Sequence, residues 1–227
     1  MKTFSIKDYF RMWQVRGIRL PIEYFFQNHL FDLVYGTDTH FRLESEDYEV
    51  QPDGFESGGF YMCSCTREVK QSLKLIEKKL GDEFLNYQFI DLGCGKCKTP
   101  MIYSFLYGSK ARHKPIGIDY YKPLIDIAEK NLALTGLPEK VLAIHADARS
   151  FHEYTTSSNL IFYLYNPFGA DILKDILESS TGNNVYILYT HPVCQHTVLE
   201  MGFDLIFSKK GYYPSTTTSI FYRGKSE

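Results

Sequence analysis

The sequence has no unbroken apolar run approaching the roughly 18 residues that a membrane-spanning helix needs, so no segment of it reads as a span. It also lacks an excess of positive charge: 25 Lys and Arg stand against 27 Asp and Glu, for a formal net charge of -2. Binding driven by phosphate neutralisation needs a basic surface. The balance therefore speaks against nucleic acid as a partner, although a local basic patch stays open. The opening stretch, Met1 to Trp13, mixes charged and apolar residues and lacks the apolar centre of a secretory signal. Cysteine is scarce and odd in number, at Cys63, Cys65, Cys94, Cys97 and Cys194, which does not suit a secreted disulfide framework. The expectation is a cytoplasmic protein with reduced thiols.

The cysteine spacing admits a second reading. Cys63 and Cys65 form C-x-C, and Cys94 and Cys97 form C-x-x-C; together they could supply four thiolates to a zinc ion. Cys94 and Cys97 as small residues in a glycine-rich nucleotide loop explain the same spacing. No thioredoxin-like strand and helix surround them, so the sequence does not single them out as a redox pair. No metal is expected.

What the sequence does have is apolar bulk. In 227 residues, 44% are hydrophobic and 16% aromatic, enough for one well-buried domain and too short for two large ones. The chain divides near Leu85, into residues 1–84 and 85–227. In the first part, Pro21 to Tyr35 reads as a helix with Pro21 in its first turn, Gly36 at its end, and Phe25, Phe26, Leu30, Leu33 and Val34 as an apolar stripe. Thr37 to Gly59 is polar and broken by Pro52, Gly54, Gly58 and Gly59, and a loop of that length is usually functional or mobile. Thr66 is placed to cap a helix running to Leu80, with Leu73, Ile76 and Leu80 inward and Gly81 stopping it.

After Leu85, short apolar runs alternate with amphipathic stretches, which is the pattern of a parallel sheet with crossover helices. Strands are expected at Gln88–Leu92, Pro115–Asp119, Val141–His145, Leu160–Tyr165 and Val185–Tyr189, and helices at Lys98–Tyr107, Pro123–Leu134, Ala170–Glu178 and Val193–Met201. Phe203–Ser208 and Thr217–Tyr222 have no helix between them and read as an antiparallel pair.

Four groups of residues fall at the C-terminal ends of these strands, where open α/β sheets bind ligands. Asp91-Leu92-Gly93-Cys94-Gly95 is a strand running into a G-x-G turn, whose glycines let the backbone approach a ligand. Asp119 ends the second strand, where a carboxylate can accept from both hydroxyls of an adenosine ribose; it could also be a helix cap. Asp147 and Ala148 follow the third strand and suit the adenine edge or, equally, a cap. Asn166-Pro167-Phe168-Gly169 follows the fourth. Proline there removes a donor, and an asparagine oxygen with an adjacent carbonyl can hold an amine in line for attack. An ordinary strand-to-helix turn is the plainer alternative.

These four groups resemble motifs I to IV of the class I S-adenosylmethionine-dependent methyltransferases, over about Phe89 to Tyr222. The resemblance implies a Rossmann-like α/β fold with a seven-stranded sheet ordered 3-2-1-4-5-7-6, its last strand antiparallel, and an N-terminal helical extension. It implies S-adenosyl-L-methionine as cofactor, held by Asp91, Gly93, Gly95, Lys96, Asp119, Tyr120, Asp147, Ala148 and Asn166. Phe31-Asp32-Leu-Val-Tyr35-Gly36-Thr37-Asp38-Thr39, Lys96 and the Tyr165-Asn-Pro-Phe-Gly169 block resemble a narrower subgroup, in which glycine usually stands where this chain has Cys97. By that resemblance Gly36 to Thr39, with Thr37 and Thr39 among the cofactor contacts, and Tyr61 fold over the cleft; alternatively Gly36-Thr37-Asp38 is only a helix stop.

The expected reaction is methyl transfer, more to nitrogen than to oxygen, with a small-molecule acceptor. Asn166 and Tyr61 are candidate catalytic residues, and Pro167, Phe168 and Tyr189 candidate acceptor contacts. His191 is the candidate general base that a hydroxyl acceptor would need. Tyr61, Tyr165 and Tyr189 could form an aromatic cage or simply pack. Two other readings stay open. One is a methyltransferase for a protein side chain or RNA base, served by Arg67, Lys70, Lys74, Lys78 and Lys79, although Glu68 and Glu77 in that run suit a solvated helix face. The other is a cofactor-binding protein without turnover. Oligomeric state is not expressed in the sequence.

Overall fold

The structure is a computed structural model in which residues 6–40, 61–211 and 216–225 are described. The part of the expected long loop from 41 to 60 lies outside the described residues. The chain opens with α1 (Ile6–Arg16), α2 (Arg19–Tyr24), a π-helical turn (Phe25–His29) and α3 (Leu30–Tyr35). Gly36, at φ 68°, ends α3 in the left-handed region, which glycine enters without strain.

The apolar stripe expected along Pro21–Tyr35 is not the buried face. Leu33 and Val34 are 69% and 63% exposed, whereas Asn28, Phe31 and Asp32 are buried. The cause is local: a π turn inserts a residue into the helical repeat and so rotates the face that follows it. α4 (Thr66–Leu80) comes next. Its N-cap is Cys65 rather than Thr66, and the Thr66 hydroxyl instead donates to the Gln27 carbonyl at 2.8 Å, tying α4 to the π turn.

From there the sequence expectations and the elements agree to within two residues. They are β1 (Gln88–Leu92), α5 (Lys98–Tyr107), β2 (Ile116–Asp119), α6 (Lys122–Leu134), β3 (Leu142–His145), β4 (Asn159–Tyr165), α7 (Ala170–Ser179), β5 (Asn184–Thr190), α8 (Gln195–Glu200), β6 (Asp204–Lys209) and β7 (Thr218–Arg223). The sheet has seven strands in the order β3-β2-β1-β4-β5-β7-β6. β1 to β5 pair in parallel, and β7 lies antiparallel between β5 and β6.

Both faces of the central strands are buried, because crossover helices cover a parallel sheet on each side. Phe89 and Tyr163 pack with Val69, Leu73 and Ile76 of α4, Met101 of α5 and Leu132 of α6. Ile90, Leu92 and Phe162 point the other way, onto Leu173 and Ile176 of α7 and Val198 of α8. Each such fully buried side chain contributes about 1.5–3 kcal/mol. The two cores hold the strand ends rigid, and all four candidate motifs extend from those ends. Among the described residues, no helix is long and apolar enough to cross a membrane.

Candidate cofactor site

The loop after β1 is built around close backbone approach. Gly93 and Cys94 both donate their N–H to the Ile118 carbonyl of β2, at 2.9 and 3.0 Å. Gly93 lies at φ 81° and Gly95 at φ 53°. Neither tolerates a side chain: a Cβ on Gly93 would stand 2.4 Å from Pro167 Cβ, and one on Gly95 would stand 2.0 Å from the Tyr61 ring. The glycine turn is thus sandwiched between the block after β4 and the segment preceding α4.

Asp119, at the end of β2, faces this loop. Its Oδ2 accepts the Gly95 N–H at 2.8 Å and its Oδ1 accepts the Tyr121 N–H at 2.9 Å. A carboxylate has about four acceptor positions, so one remains on each oxygen, a pattern that suits the two hydroxyls of a ribose. Burial pushes the group up to about 6, against the hydrogen bonds from Tyr121 and Gly95 that favour its charged form. Asp91 is deeper. Burial and the neighbouring Asp119 push it well up, and a Thr99 hydrogen bond opposes them. It is 3% exposed and sits beneath the loop.

The N-terminal segment closes over the same loop through Asp32. This buried carboxylate accepts from Thr37 Oγ1 at 2.6 Å, Thr39 Oγ1 at 2.8 Å, Thr39 N–H at 2.8 Å and His40 N–H at 2.9 Å, and it contacts His40 Nδ1. Those bonds hold it below the usual carboxylate range despite burial. The Thr37 and Thr39 hydroxyls are therefore committed to Asp32. Tyr61 donates its hydroxyl to the Thr39 carbonyl at 2.7 Å while its ring covers Gly95.

Lys96 is fully buried, pairs with Asp38 at 2.8 Å and lies 5.5 Å from the Tyr61 ring centroid. Asn131 of α6 completes the closure. Its Oδ1 accepts the Asp38 N–H at 2.9 Å, and its Nδ2 donates to the carbonyls of Asp38 and Lys96 at 3.1 and 3.3 Å. Lys98, also buried, donates to the Gln27 carbonyl, Asn28 Oδ1 and the Ser64 carbonyl at 2.9, 3.1 and 2.8 Å, with Cys63 Sγ 3.1 Å away.

On the other side of the glycine loop, Tyr165 and Thr190 are register partners at the ends of β4 and β5. The residues that follow them, Asn166 and His191, both take positive φ, 45° and 55°. Non-glycine residues in that region carry strain of about 1–3 kcal/mol, which clusters at functional sites. The His191 N–H donates to the Thr217 carbonyl at 2.7 Å. Tyr189 is 1% exposed. Its hydroxyl accepts the Cys194 N–H and donates to Asn166 Oδ1, each at 3.4 Å. Phe168 is buried in the core beneath.

The strand ends therefore bring together Gly93, Gly95, Lys96, Asp119, Tyr61, Thr39 and Pro167, while Asn166 and His191 each follow the last residue of neighbouring parallel strands. Other expected contacts stand differently. Asp147 is a helix cap: its Oδ1 accepts the Arg149 N–H at 2.8 Å, and its carboxylate pairs with the Arg149 guanidinium, which holds it below the usual range. Ala148 begins the 3-10 turn that Asp147 caps. Tyr120 is 40% exposed, and its carbonyl accepts from His145 Nε2 at 2.8 Å. Tyr189 and Phe168 offer buried rings rather than walls of a cleft. The roles of Asp32, Asp38, Asn131 and Lys98 have no marker in the sequence pattern. Their only local signal is that Asp32 and Asp38 lie in the Phe31–Thr39 block that carries the subgroup resemblance. Cys63 lies beside Lys98 while Cys94 and Cys97 contact each other, and the described residues hold no group of three or more His, Cys, Asp or Glu placed to bind a metal.

The chain matches no protein-family model and no curated protein. Among solved structures, it is similar to a protein from Clostridium thermocellum assigned as an rRNA methylase. The two are 16% identical over 70% of this chain and 97% of that one, with a TM-score of 0.52. A protein of the NADB-Rossmann superfamily from Streptococcus agalactiae is 12% identical over 72% and 71%, also at 0.52. MtNAS, solved with S-adenosylmethionine, is 11% identical over 69% and 63%, at 0.51.

The first likeness corrects the expectation that nucleic acid is an improbable partner, since a chain assigned to rRNA methylation shares this architecture. The physical fault in that expectation was to treat net charge as decisive. A whole-chain balance averages over the surface, whereas phosphate contacts need only a local patch. The strand order, the reversed β7 and these likenesses together give the chain the class I methyltransferase fold.

Proposed function

We propose that the chain is an S-adenosylmethionine-dependent methyltransferase acting on a nitrogen. The observation that carries the reading is Asp119: a buried carboxylate beside a glycine turn, oriented by two backbone donors, with one acceptor position left on each oxygen. In this reading Asp119 holds the ribose, and the Gly93–Lys96 turn takes the amino-acid end. Residues 1–84 are the covering segment, with Thr39 and Tyr61 as its inner surface, and residues 85–227 are the core. A cytoplasmic location goes with it.

Bound there, S-adenosylmethionine would supply a methyl already activated on a sulfonium. The chain then has to align an acceptor and exclude water. Asn166 Oδ1 and the carbonyls around Pro167 accept N–H bonds from the acceptor and turn its lone pair toward the cofactor side. Tyr61 closes the cleft over Gly95. A neutral amine needs no base before attack; a hydroxyl does, and in this reading His191, which follows β5 as Asn166 follows β4, is the candidate for it.

The acceptor we put first is the nitrogen of a small molecule. A base nitrogen in RNA is the second reading, and it is favoured by the likeness to the protein assigned as an rRNA methylase.

Calorimetric titration should show saturable S-adenosylmethionine binding. Asp119→Ala should weaken it by about 3–6 kcal/mol, the value of two bonds to a charged group, or at least about 100-fold. No heat at millimolar ligand would reject the class. Asn166→Ala should abolish turnover with cofactor affinity largely kept, and unchanged turnover would remove Asn166 from the mechanism. Labelled methyl transfer into a fractionated cell extract distinguishes a small molecule from RNA or protein, and a steep salt dependence of acceptor binding would mark RNA.

A further inference from the structure

Cys94 and Cys97 bracket Gly95 and Lys96, the two loop residues that reach Asp119 and Asp38. The Cys97 N–H donates to the Cys94 carbonyl at 3.0 Å, closing a four-residue turn, and the two sulfurs lie 3.5 Å apart. Such a turn keeps its end Cα atoms within about 7 Å, and disulfides span Cα separations up to about 6.8 Å.

The surroundings fit the pair closely. A Cβ on Gly117 would stand 2.6 Å from Cys97 Sγ and 2.9 Å from Cys94 Sγ, so the glycine of β2 makes room for both sulfurs. Cys97 is held at φ 60°, where a residue with a Cβ is strained and glycine is not.

We propose that Cys94 and Cys97 form a reversible dithiol–disulfide pair that sets cofactor affinity, an inference that rests on the cofactor reading above. The oxidant is a low-molecular-weight disulfide such as glutathione disulfide. The thiolate of Cys94, at 6% exposure the more accessible of the two, attacks one glutathione sulfur and expels one glutathione thiolate. Cys97 then attacks the Cys94 sulfur of the mixed disulfide and expels the second. Two protein thiols are oxidised, one glutathione disulfide is reduced to two thiols, and the two protein protons pass to the departing thiolates.

Burial pushes the Cys94 thiol up, so exchange proceeds through opening of the loop, and bound cofactor slows it. Closing the sulfurs from 3.5 Å to about 2.0 Å draws in the ends of the turn that carries Gly95, so the 2.8 Å Gly95–Asp119 bond has to readjust. The oxidised loop thereby perturbs one of the two donors that orient the carboxylate. By linkage, a tenfold loss of affinity on oxidation means that saturating cofactor raises the reduction potential of the pair by about 30 mV.

The experiment equilibrates the full chain in glutathione redox buffers, quenches with acid, alkylates, and maps the thiols by mass spectrometry. S-adenosylmethionine affinity is measured by calorimetry at each end of the range. We expect a Cys94–Cys97 disulfide to form and the oxidised protein to bind at least tenfold more weakly. Cys97→Gly should keep the reduced-state affinity and lose the redox response. The proposal is overturned if no Cys94–Cys97 link forms in any buffer, if both states bind alike, or if Cys97→Gly remains redox-sensitive. Reduced protein that binds no S-adenosylmethionine would instead reject the cofactor reading and with it the affinity effect, while the thiol map still reports on the disulfide itself.

Discussion

Pro167 fills the place where a side chain on Gly93 would begin, with its Cβ 2.4 Å from that position. The turn after β1 and the block after β4 therefore fit together only because residue 93 has no Cβ, and Gly93 also sits at φ 81°. Gly93→Ala combines two penalties: left-handed strain of about 1–2 kcal/mol and overpacking of about 1–3 kcal/mol. Denaturant unfolding should show the sum, with cofactor binding lost. Adding Pro167→Gly should recover the packing portion and leave the backbone portion. If the double variant is no more stable than Gly93→Ala, the contact is not the cause.

Asp119 gives opposite pH dependences to stability and to binding. Its folded value of about 6 lies above the ordinary 3.8, so the folded chain holds the proton more tightly than the unfolded one. The stabilisation is fully present below pH 3.8 and is lost as pH rises through 6. The shift corresponds to about 3 kcal/mol. Ribose binding needs the carboxylate, so affinity should fall about tenfold per unit as pH drops below 6, flattening at the lower value the bound group acquires. Thermal unfolding and calorimetry at pH 5, 6 and 7, each compared with Asp119→Ala, isolate the two trends. Parallel trends would contradict the ribose role.

The sheet was legible because each central strand is a short apolar run ended by Asp, Asn or Gly, and those ends are where the cofactor motifs stand. The covering segment was legible only through resemblance. Lys96 and Asp38 are 58 positions apart, and Asn131 lies 93 positions from Asp38; no local period marks a polar residue inside α6 as the anchor of a distant loop. The π turn hid the true buried face of the helix that carries Asp32, because a 3.6-residue pattern assumes no inserted residue. Asp147 was balanced between two roles; the cap is present, made with the neighbouring Arg149.

Asn131 should act on cofactor affinity more than on the chemical step. It holds both sides of the Asp38 peptide and the Lys96 carbonyl, so it latches the N-terminal segment to the glycine turn without touching the acceptor side. Asn131→Ala leaves the Asp38 N–H without its acceptor, a cost of about 1–3 kcal/mol for a buried group. We expect KM for S-adenosylmethionine to rise about tenfold with kcat changed less than threefold, the signature of lost uniform binding. An equal fall in kcat at unchanged KM would place Asn131 in the chemistry instead.

Tyr189 orients Asn166 from below. Its hydroxyl takes the Cys194 N–H, which directs its own proton to Asn166 Oδ1 at 3.4 Å, and such contacts commonly tighten once substrate is bound. Without that donor the amide is free to turn its nitrogen toward the acceptor and repel it. Tyr189→Phe keeps the buried ring and removes the hydroxyl with both of its hydrogen bonds, so folding should be weakened by about 1–3 kcal/mol, the cost of leaving the Cys194 N–H without an acceptor. We expect kcat to drop about tenfold with S-adenosylmethionine affinity unchanged, because a positioning bond acts on alignment. On a background of Asn166→Ala the same change should do nothing further. An additive loss in the double variant would show that Tyr189 serves the reaction by another route.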